Sequence, residues 1–165
     1  MLFSTATGYA LRALAAMPED GTYSLAKDLA SKLGLPGPYL AKILQTLAQE
    51  GMLNSVRGPR GGFRLSRPAH RITVGEVVNV LDGMDAMTGC VMGFVNCDGR
   101  DKPCPLHEAW CEVKAHLDTT MSMVTIRDLQ LLDLRNQSGS PRARCTAAKN
   151  PIILPASVPT VSLGK

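Results

Sequence analysis

The chain has 165 residues, 45% of them hydrophobic, 19% charged and 4% aromatic, with a formal net charge of +4. That length suits one domain, or one domain with an appendage, and the composition is ordinary for a globular chain. No apolar run approaches the ~20 residues that a membrane crossing needs, and the start MLFSTATGYALRALAAMPEDG lacks the charged opening of a secretory signal. A cytoplasmic protein with no membrane partner is therefore expected.

Charge is unevenly placed. Residues 1–75 hold nine Lys/Arg and four Asp/Glu, a balance of +5. Residues 76–137 hold five and ten, a balance of −5, and residues 138–165 hold four and none. A basic first part beside an acidic second part points to a polyanion as the partner of the first.

In chain order, Tyr9, Ala13 and Met17, with Ala6, Ala10 and Leu14, stand at helical intervals over 5–17, and Pro18 to Gly21 ends that helix. Ser24 is placed to cap a second helix, LAKDLASKL, which Gly34 closes. Pro38 opens a third, whose buried stripe is Leu40, Ile43, Leu44 and Leu47, and Gly51 closes it. Two helices joined by so short a turn read as a helix-turn-helix. The run MLNSVRGPRGGFRLSRP then reads as a hairpin with its tip at Gly58 to Gly62, which gives the order of a winged helix. Thr73 and Glu76 form a capping-box pattern for a helix over 74–82.

Residues 83–103 show no periodicity and hold Gly83, Gly89, Gly93 and Gly99, as a long functional loop would. Pro105 is placed to open a helix over about 105–124, with Leu106, Trp110, Val113, Leu117, Thr120 or Met121, and Val124 along one face. Thr125 and Asp128 begin a last short helix, TIRDLQLLDL. From Ser138 onward a flexible tail is expected. The predicted organisation is mostly α: a winged helix-turn-helix with a small β-hairpin wing (1–83), a cysteine-rich loop (84–104), a long dimerisation helix with a short C-terminal helix (105–137) and the tail (138–165).

Two elements are candidates for contact with DNA. One is the exposed side of the third helix, with Tyr39, Lys42, Gln45 and Thr46, since the start of a recognition helix reaches base edges in the major groove. The other is the wing. Arg60 at its tip suits a narrow minor groove, and Arg57 and Arg64 suit phosphates.

Cys90, Cys97, Cys104 and Cys111 recur at C-x6-C spacing, while Cys145 stands apart in the tail. A period of seven could mark one helical face, but Gly93, Gly99, Pro103 and Pro105 break any helix through 90–105, so a wrapping loop is predicted. Clustered cysteines in a cytosolic setting point to metal or redox chemistry rather than to structural disulfides. Zinc sites usually pair cysteines at C-x2–4-C, so the wider gaps favour a larger object such as an iron–sulfur cluster. For a fourth ligand, Cys104-Pro105-Leu106-His107 places His107 one turn into the helix. Cys111, four residues further on the same face, is its rival. A winged-helix regulator or protein-binding adaptor with a zinc or thiol-only switch in the loop is the alternative reading. A thiol–disulfide enzyme is not expected, for there is no C-x-x-C and no βαβ pattern.

These residues resemble the Rrf-type winged-helix repressor family of bacteria, to which the IscR-like and NsrR-like iron–sulfur regulators belong. The resemblance covers about residues 1–135. It runs through GYALRAL (8–14), LAKDLASKLGLPGPYLAKILQTLAQEGML (25–53), SVRGPRGGFRLSRP (55–68), ITVGEVVNVLDG (72–83) and the triad Cys90, Cys97 and Cys104. It implies a homodimer on pseudo-palindromic promoter DNA, with a 2Fe–2S cluster favoured over 4Fe–4S. It also implies a histidine ligand three residues after the third cysteine, which falls on His107. The NsrR-like pattern draws a carboxylate from near the N-terminus of the other subunit. Thr7-Gly8-Tyr9 stands there in this chain, with no carboxylate. The x6 gaps are wider than the five residues common in the family. The implied function is a transcriptional regulator that senses redox state, nitric oxide or iron–sulfur status.

Overall fold

The computed structural model describes residues 3–58, 61–83, 89–92 and 104–137. Pro59, Arg60, Cys97, most of the predicted cysteine loop and the predicted tail with Cys145 lie outside the described residues.

Six α-helices and one hairpin follow in order: α1 Thr5–Ala15, α2 Ala26–Leu33, α3 Gly37–Gln49, β1 Leu53–Val56, β2 Gly62–Leu65, α4 Val74–Asp82, α5 His107–Met123 and α6 Ile126–Gln137. A 3-10 turn, Ala69–Arg71, precedes α4. The fold is the predicted winged helix. The hairpin is antiparallel, with Leu53 opposite Leu65 and Val56 opposite Gly62.

The core forms where the helical stripes meet. Leu14 of α1, Leu40, Leu44 and Leu47 of α3, Ile72, Val77 of α4 and Ile126 of α6 are all wholly buried. Burying one such side chain stabilises the fold by about 1.5–3 kcal/mol. A smaller cluster, Val74, Val78 and Met121, joins α4 to α5. There α5 crosses closely, because Gly75 leaves room for the backbone of Met121, which a Cβ would approach to 3.4 Å.

The helix ends follow local chemistry. Gly34 ends α2 at φ 63°, a left-handed position that favours glycine. The capping box of α4 is complete: the Thr73 side chain accepts from the Glu76 amide at 3.2 Å, and the Thr73 amide donates to Glu76 Oε2 at 2.8 Å. Thr125 and Asp128 repeat that exchange at α6, where the Thr125 amide donates to Asp128 Oδ2 at 2.8 Å.

Two caps differ from expectation. Leu25, not Ser24, caps α2, and Ser24 instead pairs with the wing strand: its amide donates to the Phe63 carbonyl at 2.8 Å, and Phe63 returns the bond at 2.9 Å. An extended residue with both backbone groups committed to a strand has no freedom to cap a helix. Helix α5 begins at His107 rather than at Pro105. Cys104 to His107 forms a separate turn, closed by the His107 amide on the Cys104 carbonyl at 2.9 Å. Of the predicted α5 face, Met121 is buried and Leu117 packs on the α4 cluster. Leu106 and Val113 are about half exposed within one chain, at 48% and 47%.

Candidate nucleic-acid interface and cysteine centre

Helix α3 is the second helix of the helix-turn-helix. Its buried stripe holds it against α1 and α2 and turns Tyr39, Lys42 and Gln45 outward, with Thr46 half-buried beside them. The Tyr39 ring is met edge-on by Tyr9 of α1, with centroids 5.9 Å apart. The Thr46 hydroxyl bonds back to the Lys42 carbonyl at 3.2 Å.

On the wing, Arg57 is exposed and Arg60 lies outside the described residues. Arg64 is half-buried: its guanidinium carbon stands 4.7 Å from the centre of the Tyr23 ring, and Nη1 donates to the Gly21 carbonyl at 3.4 Å. Arg67 pairs with Glu76 at 2.7 Å. Burial would push the Glu76 carboxyl up, but its bonds to Thr73 and the Arg67 charge outweigh that and hold it below the usual glutamate range. Sequence reasoning missed the two tyrosines. Tyr9 fell into a helical stripe, and Tyr23 sits in the turn PEDGTYS, where no periodicity marks a contact.

Among the described cysteines, Cys90 and Cys104 meet just before α5. Cys90 Sγ and Cys104 Sγ lie 3.5 Å apart, too far for a disulfide of about 2.0 Å. Two thiolates on one tetrahedral metal at about 2.3 Å each would stand about 3.8 Å apart, so this pair fits a shared metal centre. Cys111 Sγ and His107 Nε2 are 3.6 Å apart on consecutive turns of α5, so the two rival ligands occupy one place. Cys97 lies outside the described residues. Among the described residues, no three His, Cys, Asp or Glu side chains gather closely enough to hold a metal ion. Trp110 braces the approach, its Nε1 donating to the Gly89 carbonyl at 2.9 Å.

The far end of α5 is fastened to the winged helix by backbone bonds as well as by the Met121 cluster. Val74 donates to the Val124 carbonyl at 2.9 Å, and Ile126 to the Ile72 carbonyl at 2.8 Å, around a Thr73–Thr125 bridge. At the other end of α4, Asp82 Oδ2 accepts from the Ser4 amide at 3.0 Å. Burial raises the Asp82 pKa, but bonds from Ser4 and Thr7 outweigh it, and the net direction is down. Among the described residues, no helix is long and apolar enough to cross a membrane.

Comparison with known proteins agrees with this architecture. The Rrf2 family, described as iron-dependent transcriptional regulators, matches residues 3–130. The chain belongs to the Rrf2 family. An HTH-type transcriptional regulator of Aquifex aeolicus (strain VF5) is 33% identical over 132 residues, covering 78% of this chain and 91% of the relative. The regulator IscR of Cronobacter sakazakii is 32% identical over 138 residues, covering 81% and 83%. Among solved structures, CymR, the global cysteine regulator of B. subtilis, has a TM-score of 0.65 at 23% identity, covering 79% of this chain and 96% of that one. IscR of T. potens has 0.62 at 23%, covering 85% and 92%. At that identity the structures speak to the fold. Rrf2 proteins are transcriptional regulators rather than enzymes, and DNA binding comes with the family.

Proposed function

We propose that this Rrf2 protein is a cytoplasmic homodimeric regulator of pseudo-palindromic promoter DNA. In this reading it senses redox state, nitric oxide or iron–sulfur status through a cluster, 2Fe–2S in preference to 4Fe–4S. Cys90, Cys97, Cys104 and His107 hold the cluster, with Cys111 as the alternative fourth ligand. Tyr39, Lys42, Gln45 and Thr46 face the major groove, and Arg57, Arg60 and Arg64 belong to the wing that flanks it.

The observation that carries this reading is the 3.5 Å approach of Cys90 and Cys104 beside the first turn of α5. When bound, the cluster supplies a centre that oxidants and nitric oxide attack. What the chain's own residues do follows from their placement. The 17 residues of α5 span about 25 Å. One end is fixed at Ile72 and Val74, so a swing of about 10° moves the other end by about 4 Å. Cys90, Cys104 and the Trp110–Gly89 bond restrain that other end. In a dimer built on α5, restraint there sets the separation of the two α3 helices, which must match half-sites one or more helical turns apart.

Anaerobic purification with iron, sulfide and zinc analysis tests the reading. Brown protein with iron and sulfide, losing both in Cys97→Ala, is expected. Colourless protein with one zinc would favour the adaptor. A Cys97→Ala protein with unchanged visible absorbance and unchanged redox-sensitive DNA binding would refute the assignment.

A further inference from the structure

We propose that Arg64 is a positioning residue for DNA binding: it clamps the wing to the α1–α2 connection through Tyr23 and Gly21, and it does not bind a phosphate. This deepens the reading above, on which it rests for the wing's part in DNA binding.

The clamp has three parts on one short stretch. The Arg64 guanidinium lies over the Tyr23 ring at 4.7 Å. Its Nη1 donates to the Gly21 carbonyl at 3.4 Å. One residue along the strand, Phe63 exchanges two backbone bonds with Ser24. Strand β2 is therefore held on both a side-chain and a backbone footing, while Arg57, just past the end of the opposite strand, is exposed. The Arg64 Nε is itself buried. A two-pronged phosphate contact through Nε is closed to this guanidinium because Nε is buried, and one Nη1 hydrogen is already held by the Gly21 carbonyl. Arg57, by contrast, is open to solvent.

The two roles predict different salt behaviour. A phosphate contact contributes about 0.9 to the slope of log K against log salt. A positioning contact changes only how often the unbound wing is correctly placed. The bound complex keeps its phosphate contacts, so affinity falls and the slope stays.

The experiment titrates the full-length protein with a mixed-sequence duplex of about three helical turns over a range of salt. Arg64→Met and Tyr23→Leu are each expected to weaken binding by about 2- to 5-fold with an unchanged slope, and the double variant to be no weaker than either single. Arg57→Met is expected to lower the slope by about 0.9. Should Arg64→Met not fold, Arg64→Lys makes the same comparison, because it keeps the charge and loses the flat stacked guanidinium. The lysine variant is expected to bind weakly, and full recovery would overturn the clamp. So would wild-type affinity in Tyr23→Leu, or a slope lowered by about 0.9 in Arg64→Met. A wild-type protein that ignores the duplex overturns the DNA-binding reading and the clamp together. Wild-type binding with indifferent variants overturns the clamp alone.

Discussion

Gly62→Ala should disable the wing while leaving the helical core intact. Gly62 adopts φ 126°, where an L residue is strained by about 1–3 kcal/mol. An added Cβ would lie 2.3 Å from the Ser24 carbonyl oxygen and 2.7 Å from its carbon, backbone atoms that have no rotamer to move away. Relief requires the Ser24–Phe63 bridge to open, at a cost of about 1 kcal/mol for each of its two bonds. The sum is about 3–5 kcal/mol, a large part of a domain stability of about 5–15 kcal/mol, but local to the wing. Gly34→Ala is the internal control. It also introduces a left-handed alanine, at φ 63°, but nothing lies within 4 Å of the new Cβ, so it should cost about 1–2 kcal/mol. The assays are urea denaturation, amide exchange at Ser24 and Phe63, and DNA titration. Gly62→Ala should speed exchange at both amides and weaken DNA binding at least about tenfold, the equivalent of 1.4 kcal/mol. Protected amides with normal DNA affinity, or equal costs for the two alanines, would refute the reasoning.

Other expectations follow from the same contacts. Thr73→Ala removes the cap of α4 and should cost about 1 kcal/mol in urea melts, whereas a loss below a few tenths would mean that the box is ornamental. Glu76 has a folded pKa below its unfolded one, so its contribution is complete above the unfolded value near 4.5 and is lost as pH falls through the lower folded value. Acid melts of wild type and Glu76→Gln should therefore differ fully above about pH 4.5 and converge as pH falls through the lower folded value. Under the proposed ligand set, His107→Ala should lose iron while Cys111→Ser keeps it, and the reverse pattern in iron analysis would exchange their roles. Val113→Glu, on the exposed face of α5, should shift the protein toward monomer in sedimentation with the fold unchanged by circular dichroism.

Where side chains repeat at regular intervals, the fold was legible from sequence. Leu40, Ile43, Leu44 and Leu47 are the α3 stripe read from periodicity, and Gly34, Thr73 and Glu76 do the local work their chemistry predicts. Ser24 was misread because its type suits a cap, while its actual partner, Phe63, is 39 residues away in a strand. No local pattern encodes such a pairing. Pro105 was misplaced by two residues for a related reason: a turn closed on Cys104 precedes the helix. The cysteines suggested a chemistry, but spacing alone does not say which sulfurs meet. The structure joins Cys90 to Cys104 across 14 residues and sets His107 against Cys111. Arg64 looked like every other arginine on the wing, and what separates it is an aromatic ring in a distant turn.

The joint between α4 and the α5–α6 junction has a bearing on how such proteins diversify. Its bonds, Val74 to Val124 and Ile126 to Ile72, use only main-chain atoms. The bonds themselves specify no side chain, so the demand on sequence comes from the burial of Ile72 and Ile126 and from the caps at Thr73 and Thr125. Among the described residues, the segment between Gly83 and Cys104 supplies none of these bonds. Its length and its ligands are thus open to change without redesign of the hinge. One DNA-reading scaffold can in this way be refitted with a different sensing loop by a single exchange of about twenty residues, and a chimera made by that exchange should fold on the first attempt.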